Sequence, residues 1–537
     1  MDVSLDINTV FDLANIRELT TDLTIEEKKL IVEQALLLID GVYAHLPIKT
    51  AKEAINPVQR LTLLYEKIEN LEDENLFHNE MIDIFTSLRD SHTNYILPNS
   101  IQQFAAFLPF TIEEYFTNST PRYIVSKVTP GYINNPTFIP GVEVTHWNGI
   151  PIRRFIEILA ARSTGSNNVA RRARTIYTLT TRPLSHTLSP DEDWVIITYT
   201  GSQGAEDVRV AWKAFIVPPT PQAPEAKLAD SPKEIVLGLD DGANIARRTK
   251  KVLFAPQAMK SESQPPEKDT DTSFPDSLEF RSVKTPSGEF GYLRIRSFFV
   301  SDIEGFIKEV ARVLKLLPQT GLILDVRDNP GGAIPAGEGL LQFFTDNKVI
   351  PAPVSFRNTM LNRLIVENFP PFEAWKKSIQ LSVETGESFS QGFSLSPQDE
   401  INKIGRVYQG NVILITSPLS ISTVDFLAAG FKDNDIGYIL GIDTNMGAGG
   451  ANVVTHEEIR TWLEEVEESP FKPLPKGVQM RVSIRRSTRV GRETIGLPVE
   501  GLGVEPDEIH RMTLNDLLNQ NVDLIAHAGE LLAKATL

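Results

Sequence analysis

The stretch Leu324-Asp325-Val326-Arg327-Asp328-Asn329-Pro330-Gly331-Gly332 sets the frame for the chain. It begins in a short apolar run, residues 321–326, the pattern of a strand buried on both faces. It ends in Asn-Pro-Gly-Gly, which stops the strand and lets backbone come close to a ligand. The same texture continues on both sides. Residues 291–295, 411–416 and 436–442 read as strands, residues 303–317 as an amphipathic helix and residues 422–432 as a second helix. Strands alternating with helices predict a largely parallel sheet with crossovers.

A second segment, Ser420-Ile421-Ser422-Thr423-Val424-Asp425-Phe426-Leu427-Ala428-Ala429, places serines where a strand hands over to a helix. A serine hydroxyl is a weak nucleophile near neutral pH and needs a base and donors for an oxyanion. At the first turn of a helix the free amides favour developing negative charge. The Thr423 amide is then a natural oxyanion donor, with Gly331 or Gly332 as the second. Read alone, Ser420 or Ser422 is an ordinary N-cap; beside the glycine turn, Ser422 becomes the candidate nucleophile.

Together these two segments resemble the tail-specific, or C-terminal-processing, serine proteases. The resemblance implies an α/β fold: a crotonase/ClpP-like catalytic core with a helical N-terminal domain and a PDZ-like β domain. The lysine that many members use as base is missing, because Ala448 stands in its place in the stretch 441–450. Lys432 lies at the far end of a predicted helix of about ten residues, ~15 Å from its start. The histidine-using branch, similar to the tricorn core protease and the chlamydial protease-like activity factor, carries its base upstream in a Ser-His-Thr type motif. Ser91-His92-Thr93 matches that motif, and Val499-Glu500-Gly501-Leu502-Gly503-Val504-Glu505-Pro506-Asp507 matches the branch's C-terminal carboxylate segment. The resemblance therefore implies Ser422 as nucleophile, His92 as base, and Glu500 supporting His92 directly or through the Ser91 hydroxyl. Gly331, Gly332 and Thr423 would form the oxyanion hole. Glu505 and Asp507 compete with Glu500, His456 is the alternative base, and Asp433 takes a structural role.

Four segments are expected: a helical domain over 1–103 carrying the Ser-His motif, a PDZ-like domain over 104–216, a Pro-rich linker or inserted loop over 217–275, and the α/β core over 276–537. Thr24 and Glu27 form a capping-box pattern ahead of the first strong helix. Asn148-Gly149 marks a tight hairpin turn in the PDZ-like part. The basic-then-apolar stretch 245–254 reads as part of the linker, with an autoinhibitory or self-cleaved loop as the sharper alternative.

Composition narrows the function. With 70 acidic against 53 basic residues and a net charge of -17, a general nucleic-acid binder is disfavoured. The absence of cysteine excludes disulfides, a thiol nucleophile and cysteine-based zinc sites. No metal constellation and no cofactor fingerprint stands out, so no cofactor is expected. No run reaches the ~18 apolar residues of a membrane span. The N-terminus lacks a signal-peptide pattern, so a cytoplasmic location is expected, although a chain with its signal removed reads the same way. The expected partner is an extended polypeptide substrate, and a homo-oligomer is compatible with the sequence. Two rival readings stand beside the peptidase: a peptide-binding scaffold that has lost its base, motivated by Ala448, and a hydrolase of small esters or amides.

Overall fold

The computed structural model describes residues 10–187, 189–202, 204–217, 237–261 and 271–535. Its catalytic layer is a six-stranded sheet containing Leu278–Thr285, Gly288–Ile295, Leu322–Asp325, Val412–Thr416, Tyr438–Gly441 and Glu508–Ile509 in that order. All neighbours are parallel except the first pair, an antiparallel hairpin at one edge. Every residue of Leu322–Asp325 and Val412–Thr416 is buried, as a strand covered on both faces requires. One face packs against helices Ile303–Leu316 and Thr423–Asp433 through Phe306, Val310, Val313, Val424 and Leu427. The C-terminal helix Val522–Ala535 covers the other face with Leu524, Ala528 and Leu532 against Tyr292, Ile323 and Ile413.

The end of the central strand is anchored electrostatically. Buried Asp325 accepts the Tyr292 hydroxyl at 2.8 Å, Arg294 Nη1 at 2.8 Å and Arg327 Nη2 at 2.7 Å. Arg327 Nη1 continues to Asn521 Oδ1 at 3.0 Å and so ties the turn to the C-terminal segment. In the quoted motif, Asp325 and Arg327 are thus structural, and the residues after them face the site.

The N-terminal helices begin at Ile25–Leu36, where Thr24 and Glu27 exchange the two bonds of a capping box. The PDZ-like part is a sheet ordered Gly204–Ala211, Trp194–Gly201, Glu143–Trp147, Thr120–Val128 and Phe110–Thr117, flanked by helices Ile152–Ala160 and Asn168–Thr178. Asn148 (φ 48°) and Gly149 (φ 76°) turn the expected hairpin. These parts do not fold around separate cores. One hydrophobic cluster joins Ile31 and Phe77 of the helices, Trp147 of the PDZ-like sheet, and Phe356 and Ile484 of the region after the catalytic turn. A further sheet explains the fusion: Asn94–Ile96, directly after the Ser-His motif, pairs antiparallel with Gln479–Ser487, with Asn94 opposite Arg481.

The 217–275 segment departs from a plain linker. Residues 218–236 and 262–270, its Pro-rich parts, lie outside the described residues. Between them stand a strand, Leu237–Leu239, and a long helix, Asp241–Ser261. Within the stretch 245–254, Leu253 and Phe254 are buried against Ala105, Phe107 and Phe215. What reads in sequence as a sticky patch in a loop is the apolar side of a docked helix.

Candidate active site

The two motifs form one hydrogen-bonded unit. Ser417 Oγ accepts the Asp328 N–H at 3.0 Å, Ser420 Oγ donates to the Val326 carbonyl at 2.8 Å, and the Ile421 N–H reaches the Asn329 carbonyl at 3.1 Å. Ser422 then caps helix Thr423–Asp433 with φ 69° and ψ -116°. A non-glycine residue held in so sparsely populated a region costs on the order of 1–3 kcal/mol. Asp425, one turn on, holds it there: its Oδ2 accepts the Ser422 N–H at 2.7 Å and the Gly449 N–H at 2.9 Å, and its Oδ1 the Ala448 N–H at 3.1 Å. Burial pushes the Asp425 carboxyl up to about 7, against the pull of those amides.

Of the expected oxyanion donors, Gly331 is corrected. Its N–H donates to Asn329 Oδ1 at 2.8 Å and is committed to shaping the turn. Gly332 sits at φ 143°, and a Cβ there would lie 2.0 Å from the Phe298 carbonyl carbon, so only glycine fits. The Thr423 hydroxyl donates to the Gly332 carbonyl at 2.9 Å, which fixes the glycine strand Gly331–Ala333 against the start of the serine helix. Phe298 lines one edge of that strand: its N–H bonds the Gly331 carbonyl at 2.9 Å and its carbonyl accepts the Ala333 N–H at 2.9 Å.

His92 arrives from 330 residues upstream, with Nε2 2.9 Å from Ser422 Oγ and both residues fully buried. The loop carrying Ala448 makes room for it. A Cβ at Gly449 would lie 3.0 Å from His92 Cε1 and 2.8 Å from Ile421, so the ring packs over a glycine where a side chain would clash. Burial lowers the His92 imidazole; Asp90, then Asp240 and Glu500, raise it without reversing the shift, and Arg481 acts with burial.

The expected relay behind the histidine is not formed. Glu500 Oε1 is ion-paired with Lys49 and accepts the Ser166 hydroxyl at 2.6 Å, while its Oε2 has no partner among the described residues. Ser91 Oγ and His92 Nδ1 are likewise unpartnered there. Glu500 turns away because a buried cation from the N-terminal helix Leu46–Glu53 claims it; unpaired, either charge would be costly to bury. Asp90, outside the expected site residues, lies closer: Oδ1 accepts the His92 N–H at 2.8 Å and stands 3.8 Å from His92 Nδ1. Its only sequence signal is its place two residues before the histidine. Lys49 and Ser166 carry no local signal at all.

The remaining candidates fall elsewhere. His456 Nε2 bonds Gln34 Oε1 at 2.8 Å and does not face the serine. Lys432 pairs with Asp507 at 2.9 Å, beyond the far end of its helix. Asp433 accepts Arg489 Nε at 2.8 Å, the Val490 N–H at 2.9 Å and the Thr494 hydroxyl at 3.0 Å, closing the helix end.

The insert meets the site directly. Leu237–Leu239 pairs antiparallel with the glycine strand, Leu237 opposite Ala333, Gly238 opposite Gly332 and Leu239 opposite Gly331. The Asp240 N–H donates to the Pro330 carbonyl at 2.9 Å, and buried Asp240 forms an ion pair with Arg174 of the PDZ-like part.

Residues 289–467 match peptidase family S41. A search of the curated proteins returns no match. Among solved structures, mature CPAF is similar at 16% identity over 94% of this chain and 96% of that chain, with a TM-score of 0.63. Mature CPAF complexed with lactacystin aligns at 16% identity over 95% and 98%, with a TM-score of 0.62. The photosystem II D1 C-terminal processing protease aligns at 12% identity over 95% and 98%, with a TM-score of 0.41. The CPAF likeness extends the shared fold across the helical and PDZ-like parts as well as the catalytic sheet. The family match spans both the glycine turn and the serine helix, and with it the chain is read as a serine-type peptidase similar to peptidase family S41.

Proposed function

We propose that the chain cleaves extended polypeptides with Ser422 as nucleophile and His92 as its base. The observation that carries this reading is the 2.9 Å approach of His92 Nε2 to Ser422 Oγ in a buried site on a strained strand-to-helix turn. His92 takes the hydroxyl proton as Ser422 attacks the scissile carbonyl and returns it to the leaving amine. On this reading the Thr423 amide, at the positive end of its helix, and the Gly332 amide supply the oxyanion donors. The Ala448 loop needs no lysine under this reading, which sets aside a scaffold without a base.

The substrate adds as a strand along the edge of Gly331–Ala333 opposite Phe298. Residues 237–239 occupy that edge in the same antiparallel sense. With Asp240 bonded to Pro330, the alternation of an antiparallel ladder makes Gly238 and Gly332 the next hydrogen-bonding pair. The insert therefore stands as a substrate mimic over the oxyanion position, and the full chain is self-inhibited until residues 237–261 are released.

Fluorophosphonate labelling and casein cleavage test the reading. Wild type is expected to label weakly as the full chain and strongly after limited proteolysis within 218–236 or 262–270. Ser422→Ala abolishes labelling and His92→Ala slows it by at least about 10³-fold. Wild type silent before and after proteolysis would return the scaffold to first place. Turnover of small esters with no casein cleavage would favour the small-molecule hydrolase.

A further inference from the structure

We infer that Asp90, and not Glu500, is the carboxylate that positions His92 and stabilises its imidazolium; this rests on the Ser422–His92 reading above. Both carboxylates are fully buried, so their partners distinguish them. Glu500 is already compensated by Lys49 and takes the Ser166 hydroxyl on the same oxygen. Among the described residues, the only ion-pair contact of Asp90 is His92, at 3.8 Å. Its hydrogen bonds come from neutral groups: the His92 N–H at 2.8 Å, the Thr93 hydroxyl at 2.9 Å and the Ser483 hydroxyl at 2.9 Å. Lys49 bonds Glu500 and the Arg89 carbonyl, which it reaches at 2.9 Å, and acts on Asp90 only through space.

These bonds also fix direction. The carboxylate is tied to the backbone of the histidine it faces, and through Thr93 and Ser483 to strand Gln479–Ser487. The backbone that carries the imidazole and the counter-charge are therefore held together. When Nε2 takes the Ser422 proton, the positive charge spreads to Nδ1, and the carboxylate 3.8 Å from Nδ1 in a buried site stabilises it more than Glu500, whose charge is paired with Lys49, can. Burial alone would raise Asp90; His45, Lys49 and the His92 contacts hold it well below the usual carboxylate range, so it is ionised whenever His92 acts. The other charges on His92 are Asp240 from the insert, Glu500 from the C-terminal segment and Arg481 from the neighbouring strand.

The test is the pH profile of fluorophosphonate labelling of the full chain, before and after limited proteolysis, with a thermal melt for each variant. Asp90→Asn is expected to slow labelling by about 10²-fold and to move the acid limb down by roughly one pH unit, because the imidazolium loses its counter-charge. The double variant Lys49→Met with Glu500→Gln, which neutralises that pair together, is expected to change the rate less than about threefold and leave the limb in place. A slow Asp90→Asn enzyme with an unmoved limb makes Asp90 purely structural and overturns the inference. So does a limb that shifts in the double variant. If Asp90→Asn does not fold, the double variant decides alone: an unmoved limb supports the inference and a shifted one sinks it. In all these outcomes Ser422→Ala and His92→Ala still behave as stated above. Wild type unlabelled throughout, or His92→Ala labelling like wild type, removes the parent reading and the inference with it.

Discussion

The serine half and the histidine half of the site are built in opposite ways. The serine half is local: a buried strand, a glycine turn and a helix start that share short-range bonds and one sheet, with Asp425 gathering three amides around the strained serine. The histidine half is assembled from afar, with His92 after the N-terminal helices, Lys49 within them, Ser166 in the PDZ-like part, Ser483 on a distant strand and Glu500 near the C-terminus. The lesson is that Ser422 is positioned by backbone geometry and His92 sits within a network of buried charges. The two halves should therefore break differently.

The largest effect is expected in the serine half from Gly332→Ala. The added methyl meets the Phe298 backbone, with no flexible side chain to yield, so labelling and the cooperative thermal transition should both be lost. A Gly332→Ala protein that melts and labels like wild type would show that the glycine strand is not fixed as described. Next comes the histidine half: Lys49→Met leaves Glu500 buried without its cation and should cost about 3–5 kcal/mol in denaturant unfolding, most of it recovered when Glu500→Gln is added. Equal destabilisation in the single and double variants would mean that the pair is not coupled. Asp425→Asn turns one acceptor oxygen into a donor facing amide hydrogens, and should cost about 1.5–3 kcal/mol while slowing labelling. The sharpest contrast would be loss of labelling there at unchanged stability, since strain at Ser422 would then be relaxing.

The smallest effect concerns Glu338, at the end of the short helix after the glycine strand. The residue is fully buried, and burial raises its carboxyl from 4.5 to about 8 against the pull of Ser396 and Ala352. A carboxyl whose folded value lies above its unfolded one contributes its full stability below pH 4.5 and loses it as pH rises toward about 8. Glu338→Gln should therefore melt close to wild type at pH 5 and above it at pH 9; parallel melting curves across that range would show that the group is not held neutral.

Legibility in the sequence follows the same division. The strand–turn–helix pattern around Ser422 was readable because periodicity and glycine placement are local signals. The docked helix 241–261 was not, because its Pro-rich flanks suggest a loop, and only the surface formed by Ala105, Phe107 and Phe215 turns Leu253 and Phe254 into buried anchors. The role of Gly331 was misassigned because the neighbouring Asn329 side chain, whose direction is a tertiary matter, claims its amide.

The sequence by itself determined the α/β layer and the serine at a helix start, since these depend on residue type and short-range spacing. Only the tertiary structure decided which carboxylate faces the imidazole and that the insert lies along the glycine strand. Buried charges choose partners by distance in three dimensions: Lys49 reaches Glu500 across 451 residues of chain, while Asp90 stands 3.8 Å from the His92 ring.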